Sequence, residues 1–395
     1  MINSKKTSHK PSFQETFSIG FRPFFLCATL FSFFAILAWV AVFLFGFQLS
    51  AFAYYPMNIW HAHEMIFGYS MAVIAGFLLT AIKNWTKIQT INGTKLMFLV
   101  GIWILARIIP FITDNGWIIS LIDVLFLPSL AFFVALPLLQ ANNKRNYFMV
   151  LLILVFALLN SLIHLDLLGL LLGITHTVLQ ISLYSIIALV IIMAGRVFPM
   201  FSQNGVNNRY IVQKHAMIEK LAVPSFFIFA ITVIISKNNY ITLLVCMFTA
   251  IIHLTRLKGW YNQQIWQVPL VWVLHVGYFF IIIGFILTAL SAFMPYYNFI
   301  ALHAFSLGVL GIITIGMMAR VSIGHTGRNL KFPPNSVKYS FILLVLATII
   351  RLLTPIISPT FYQWSIIISG LLWALAFLLF VYSYTKILIT PRFDA

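Results

Sequence analysis

Runs of about 20 apolar residues recur from one end of this chain to the other, and that repetition limits its fold more than any motif does. A run of that length crosses about 30 Å of hydrocarbon as a helix. In lipid, only helices and closed barrels satisfy every backbone polar group. The composition agrees, since 62% of the 395 residues are hydrophobic and 8% charged. A soluble core of this size needs far more charge on its outside. Twelve spans are expected, at about 24–46, 60–82, 95–112, 117–139, 147–163, 168–195, 216–235, 240–256, 268–291, 298–319, 338–356 and 363–387. The expected fold class is an all-α polytopic membrane protein. One transmembrane domain, 24–387, lies between tails 1–23 and 388–395. No signal-peptide pattern precedes the first span, and the longest polar loop runs from Arg196 to His215.

Charge orients these spans. With both termini on the cytoplasmic side, all but three of the 24 Lys and Arg fall on inner loops and tails, Lys5, Lys6, Lys10 and Arg209 among them. Arg107, Lys237 and Arg351 fall outside or near it, with Asp114 and Asp166. That asymmetry is the positive-inside pattern. A basic rim against anionic lipid accounts for the net charge of +17 without a nucleic-acid partner.

Histidine is the strong metal ligand this chain offers. Cys27 and Cys246 lie far apart in apolar sequence, and no C-x-x-C occurs, so covalent haem and iron–sulfur clusters lack support. Both cysteines read as packing residues. His61 and His63 open the second span at its outer end, within WHAHEMIFGY, 60–69. His164 is expected after the fifth span at the outer surface, His176 in the outer half of the sixth, and His303 in the first turns of the tenth. Five histidines and Glu64 therefore share one leaflet. His215, His253, His275 and His325 fall on the inner side, and His9 in the tail. At about 100° per residue, His61 and Glu64 are about 60° apart on one face, whereas His63 lies about 200° from His61. One helix does not easily offer both histidines to one metal. One ring then ligates, and the other serves a second centre or a hydrogen-bond network. Glu64 can orient an imidazole, carry protons or bind copper.

A single histidine in a span is ordinarily a polar contact between helices. Two histidines and a glutamate in four residues, facing a further outer histidine, shift that balance toward a site. Pairs of outer histidine and inner basic residue recur as His63 with Lys83, His176 with Arg196 and His303 with Arg320. They suggest three pseudo-repeats of four helices. Arg196 and Arg320 lie at the wrong end for the outer cluster and read as membrane anchors. Gly324 to Arg328 reads as a tight loop ending the tenth span, where His325 is either a loop residue or a copper ligand. His275 is the inner candidate for a buried functional group.

Beyond these readings, the chain resembles the NnrS family, bacterial membrane proteins linked to nitric oxide stress and associated with haem and copper. The motifs are FRPFF at 21–25, WHAHEMIFGY at 60–69, GFLLTAIKNWT at 76–86, FLP at 126–128, GRVFPMFS at 195–202, LHVGY at 274–278, LHAFSLG at 302–308 and ARVSIGHTGR at 319–328. The family's sixth-span motif has Gly-Gly-Arg and Phe-Thr, where this chain has Ala194-Gly195-Arg196 and Phe201-Ser202. A fainter similarity connects the second span to the catalytic subunit of haem-copper oxidases and nitric oxide reductases, through His61, Ala62, Met65, Ile66 and Phe67 and then Gly76, Asn84 and Trp85.

These resemblances imply haem b with His61 and His303 as axial ligands, and copper as a second cofactor. The oxidase pattern has a further tenth-span histidine where this chain has Ala301, and its seventh-span copper pair is missing. Copper would fall instead to His63, His176, His164 or Glu64, or on the inner side to His275 or His325. Glu64 is the expected proton carrier. Glu64 and Asp123 are the acids well inside spans, so protons supplied from outside suit a reaction best. Implied partners are the lipid bilayer of a bacterial inner membrane, nitric oxide and an unidentified electron donor. Two other readings stay open: a transporter of metal, haem or nitrosylated iron, and a haem–copper sensor or store without turnover.

Overall fold

The computed structural model describes residues 11–206, 210–236 and 238–393, and has no strand among them. Lys5, Lys6, His9, Lys10, Arg209 and Lys237 lie outside the described residues. Among the described residues, twelve helices are long and apolar enough to cross a membrane. Spans 1 to 6 are Phe21–Phe45, Met57–Thr86, Gly93–Phe111, Gly116–Gln140, Lys144–Leu167 and Thr175–Gly205. Spans 7 to 12 are Ala216–Ile235, Asn239–Trp260, Pro269–Ser291, Tyr296–His325, Asn335–Ile357 and Pro359–Ile389. The chain is thus a multi-pass membrane protein.

Two boundaries and the places of two arginines differ from expectation. Span 5 continues to Leu167, which carries His164 into the helix and buries it at 2% exposure instead of leaving it at the surface. Span 6 starts at Thr175 rather than near residue 168. Gly169 and Gly173 take positive φ of 76° and 73°, a left-handed backbone that breaks the apolar run into a loop. Asp166 closes that loop by accepting from the Thr175 amide at 2.9 Å and from its hydroxyl. Arg107 and Arg351, expected outside or near it, are buried within spans 3 and 11.

Spans 2, 6 and 10 touch one another in the interior of the bundle. Around them, spans 11, 12, 1 and 2 pack in succession, as do spans 3 to 6 and spans 7 to 10. Residues such as Phe34, Leu121, Leu151 and Ile231 remain exposed on the outer helices, the side that lipid covers. Inside, Gly308 lets span 10 approach span 9 closely, because a Cβ there would lie 2.7 Å from the Phe280 ring.

Two of the three central helices share a backbone irregularity. Directly after His63, span 2 loosens into a π-helix over Glu64–Ser70, and directly after His303, span 10 does the same over Ala304–Gly311. In span 2, the Ser70 hydroxyl donates to the Met65 carbonyl, five residues back, at 2.8 Å. π-turns are rare and concentrate at functional sites. They widen the helix and change which face the next residues present.

Candidate functional site

At the end of the bundle where span 2 begins, the end expected from the charge pattern to be the outer one, spans 2 to 5 enclose a polar cluster with almost no access to the surface. Span 2 supplies His63 and Glu64, span 3 Arg107, span 4 Ser120 and Asp123, and span 5 Asn160 and His164. Arg107 pairs with both acids, donating to Glu64 Oε2 at 2.6 Å and to Asp123 Oδ1. The second oxygen of Asp123 gathers three partners: His164 Nε2 at 2.9 Å, Asn160 Nδ2 at 2.8 Å and His63 Nε2 at 3.3 Å. His63 also meets Asn160 Oδ1 at 2.9 Å and, through Nδ1, Glu64 Oε1 at 3.3 Å. Every atom facing its two ring nitrogens is an acceptor.

The loop before span 2 covers this cluster. Tyr54 Oη lies 2.9 Å from His164 Nδ1 and 2.8 Å from Ser120 Oγ, and the Tyr55 ring packs against His63. Burial pushes the Tyr54 hydroxyl up to about 12, offset in part by its bond with Ser120, so it stays neutral. The arrangement depends on Gly68. A Cβ there would lie 2.8 Å from the Phe31 ring and 2.9 Å from Glu64 Oε2. Its carbonyl accepts from Trp103 Nε1 at 3.0 Å.

Charge decides what the cluster can hold. With both imidazoles counted as neutral, two carboxylates against one guanidinium leave one negative charge in a place where lipid and protein replace water. Burying an uncompensated charge is costly. One nitrogen each from His63 and His164 and one oxygen from Asp123 lie within 4.8 Å of one another. Imidazole and carboxylate donors suit a transition metal. A bound proton or a monovalent ion such as Cu(I) would bring the cluster to neutrality.

His61 belongs to different surroundings. Its ring stacks on Trp39 of span 1, with centroids 4.3 Å apart and planes 12° from parallel, and it has no hydrogen bond among the described residues. His303 donates from Nδ1 to the Phe299 carbonyl at 2.9 Å, which leaves Nε2 with its lone pair. His61 and His303 are electrostatic neighbours of each other and of Arg351. Both rings are half-buried, and so are Met65 below His61 and Ser306 and Leu307 below His303. Spans 2 and 10, though mostly enclosed in the bundle, thus keep partly uncovered surface beneath each histidine. Two imidazoles with a free nitrogen above apolar side chains fit haem ligation. A surface cavity of about 640 Å³ between the loop 89–95 and the end of span 4 contains none of these histidines.

A family model described as NnrS protein matches residues 15–392, nearly the whole chain. The chain belongs to the NnrS family. No functionally curated protein matches it in sequence. In this NnrS chain, the structure draws His63, His164 and Glu64 into one cluster, and His61 and His303 into another place. His176 joins neither and stands exposed in the first turn of span 6. His275 is buried and bonded to backbone, with Nδ1 3.1 Å from the Val271 carbonyl and Nε2 3.4 Å from that of Trp260. His325 ends span 10, its ring 5.9 Å from Phe21, before a loop turned by Gly327 at φ +71°.

The sequence reading missed the role of Arg107, Asp123, Asn160 and Tyr54 in the cluster. It also passed over a second polar cluster, in spans 7 to 9 toward the opposite end of the bundle, the expected inner one. There Arg256 donates to Glu219 Oε2 from Nε at 3.1 Å and Nη2 at 2.7 Å, and to the Ile191 carbonyl and Tyr278 hydroxyl at 3.1 Å each. His253 lies between the Tyr278 hydroxyl, 2.7 Å from Nδ1, and the Ala222 carbonyl, 3.1 Å from Nε2.

Proposed function

We propose that this NnrS protein is a bacterial inner-membrane haem protein that binds or converts nitric oxide near its outer face, with both termini cytoplasmic. The observation that carries the reading is the pair His61 and His303. They stand on two central spans as electrostatic neighbours of each other and of Arg351, each with a nitrogen free and each within three residues of a π-helical turn. Family membership supports nitric oxide as the ligand, and the basic inner loops support the orientation. The mutual contact of spans 2, 6 and 10 supports the plan of three four-helix repeats.

Haem b bound between these rings would supply a redox-active iron with affinity for a small neutral gas. The chain would do the holding. His303, fixed by the Phe299 carbonyl, is the firmer ligand. His61, held by stacking alone, is the ring a competing ligand would replace. His63, Asp123 and His164 form the second centre, with copper as its ion. In that place Glu64 tightens Arg107 and His63, and it is the carboxylate through which a proton would pass.

The test is the visible spectrum of the purified protein, oxidised and reduced, beside His61→Ala and His303→Ala. Sharp reduced bands of a six-coordinate haem b, altered in both variants and more severely in His303→Ala, are expected. A wild type that takes up no haem when it is supplied would overturn the redox reading and favour a transporter. Haem held unchanged in both variants would keep the function and move the site.

A further inference from the structure

Arg351 raises a separate question, because a guanidinium buried in a membrane span needs an anion and this one has none among the described residues. Other buried arginines meet carboxylates: Arg107 meets Glu64 and Asp123, Arg256 meets Glu219, and Arg22 lies 3.7 Å from Glu15. Arg351, at 5% exposure, has two neutral partners, the Ser365 hydroxyl at 2.9 Å and the Tyr362 hydroxyl at 3.3 Å. Those take two of the five N–H donors a guanidinium carries. The group lies 4.9 Å from the centre of the Phe299 ring and 5.0 Å from that of Tyr362. Rings soften the cost of burying a cation without cancelling its charge.

Its position gives the missing anion an address. Phe299 is one turn before His303, whose ring lies 4.4 Å from it. A cleft of about 310 Å³ lined by Pro295, Tyr296, Phe299, Pro359 and Tyr362 opens over the same two aromatic rings. Arg320 also lacks a carboxylate, but it covers Phe201 near the inner end of the bundle, far along span 10 from this place.

We propose that Arg351 binds a carboxylate of the ligand held by His61 and His303, so that a macrocycle bearing acidic side chains is seated with them toward the outer face. The proposal rests on the haem reading above. It adds what that reading lacks, which is an orientation and a preference for the free acid. Guanidinium and carboxylate match in charge and in paired hydrogen bonds. Lysine keeps the charge but not the fork.

Two probes separate this idea from the reading beneath it: haem b, and haem b with both propionates converted to methyl esters. Each is titrated optically into the wild type, Arg351→Met and Arg351→Lys in detergent. The wild type should bind the diester about 10- to 100-fold more weakly than the acid, the range of one charge-assisted bond. Arg351→Met should bind both forms alike, and Arg351→Lys should recover part of the preference. Equal binding of acid and ester by the wild type would overturn the role of Arg351 and leave the axial pair standing. A full preference persisting in Arg351→Met would overturn it too. No binding of either form by the wild type would overturn the axial reading, and this one with it. The wild-type comparison needs no variant, so misfolding of Arg351→Met does not shield the proposal.

Discussion

The outer cluster of spans 2 to 5 and the inner cluster of spans 7 to 9 use the same residue types. Each joins arginine, carboxylate, histidine and tyrosine, the outer one almost wholly buried and the inner one with Glu219 part-exposed. The inner one is balanced, because Glu219 meets Arg256, and Trp260 Nε1 completes the carboxylate at 3.2 Å. His253 is satisfied at both nitrogens by a hydroxyl and a backbone carbonyl. In the outer one two carboxylates share one guanidinium, so a proton or a monovalent ion completes the balance, and both imidazoles converge on one carboxylate oxygen. Histidine inside a membrane therefore says little alone. Charge balance and uncommitted donor atoms separate a fastening from a place that can take an ion.

The largest effects should come from breaking the ion pairs. Arg107→Met strands two carboxylates, and Arg256→Met strands one. Removing one partner of a buried pair costs about 3–5 kcal/mol. Arg107→Met should therefore lower the thermal unfolding temperature in detergent more than Arg256→Met does. Adding Asp123→Asn to Arg107→Met should restore a good part of the loss. A double variant no better than the single would mean that the residual charge does not govern the outer cluster.

Metal binding sharpens the contrast next. Anaerobic titration with Cu(I) against a competing chelator should give one site in the wild type. His63→Ala, His164→Ala and Asp123→Asn should each weaken it at least about tenfold, whereas His253→Ala should leave it unchanged. Equal losses in the outer and inner variants would dissolve the distinction.

Much of the fold was legible because apolar length is a local property of the chain. Twelve runs became twelve helices, and the motif around His61 marked the right end of span 2. The cluster was less legible because four helices assemble it. Asp123 in mid-span was one available sign. Another was Asn160 with His164, four apart on one face of an apolar helix. His164 was misplaced because the span was ended where apolarity fell, while the helix runs on to Leu167. The angular reading grouped His61 with Glu64, but these side chains meet different neighbours, Trp39 for one and Arg107 for the other.

A smaller perturbation tests the packing that holds Glu64. Gly68→Ala would press a methyl group on Phe31 and on the carboxylate. Overpacking of this kind costs about 1–3 kcal/mol. The unfolding temperature should fall less than in Arg107→Met, with a weaker Cu(I) site. Unchanged stability would mean that span 1 yields and the close approach is incidental.

Tyr54→Phe should have the smallest effect on stability and the most specific one on the ion. As long as Asp123 accepts from His164 Nε2, the ring's Nδ1 takes its hydrogen bond from Tyr54. A metal on Nε2 requires the other tautomer, with Nδ1 as the donor. The Tyr54 hydroxyl can accommodate either, because Ser120 beside it can give or receive the remaining bond. Phenylalanine removes that adaptable partner while keeping the ring. Stability should change by about 1 kcal/mol, as for a single hydrogen bond. Cu(I) affinity should fall about tenfold, in line with the loss of a partner behind a metal-bound imidazole. A Tyr54→Phe protein that binds Cu(I) like the wild type would remove His164 from the ligand set and leave it, like His253, a fastening between helices.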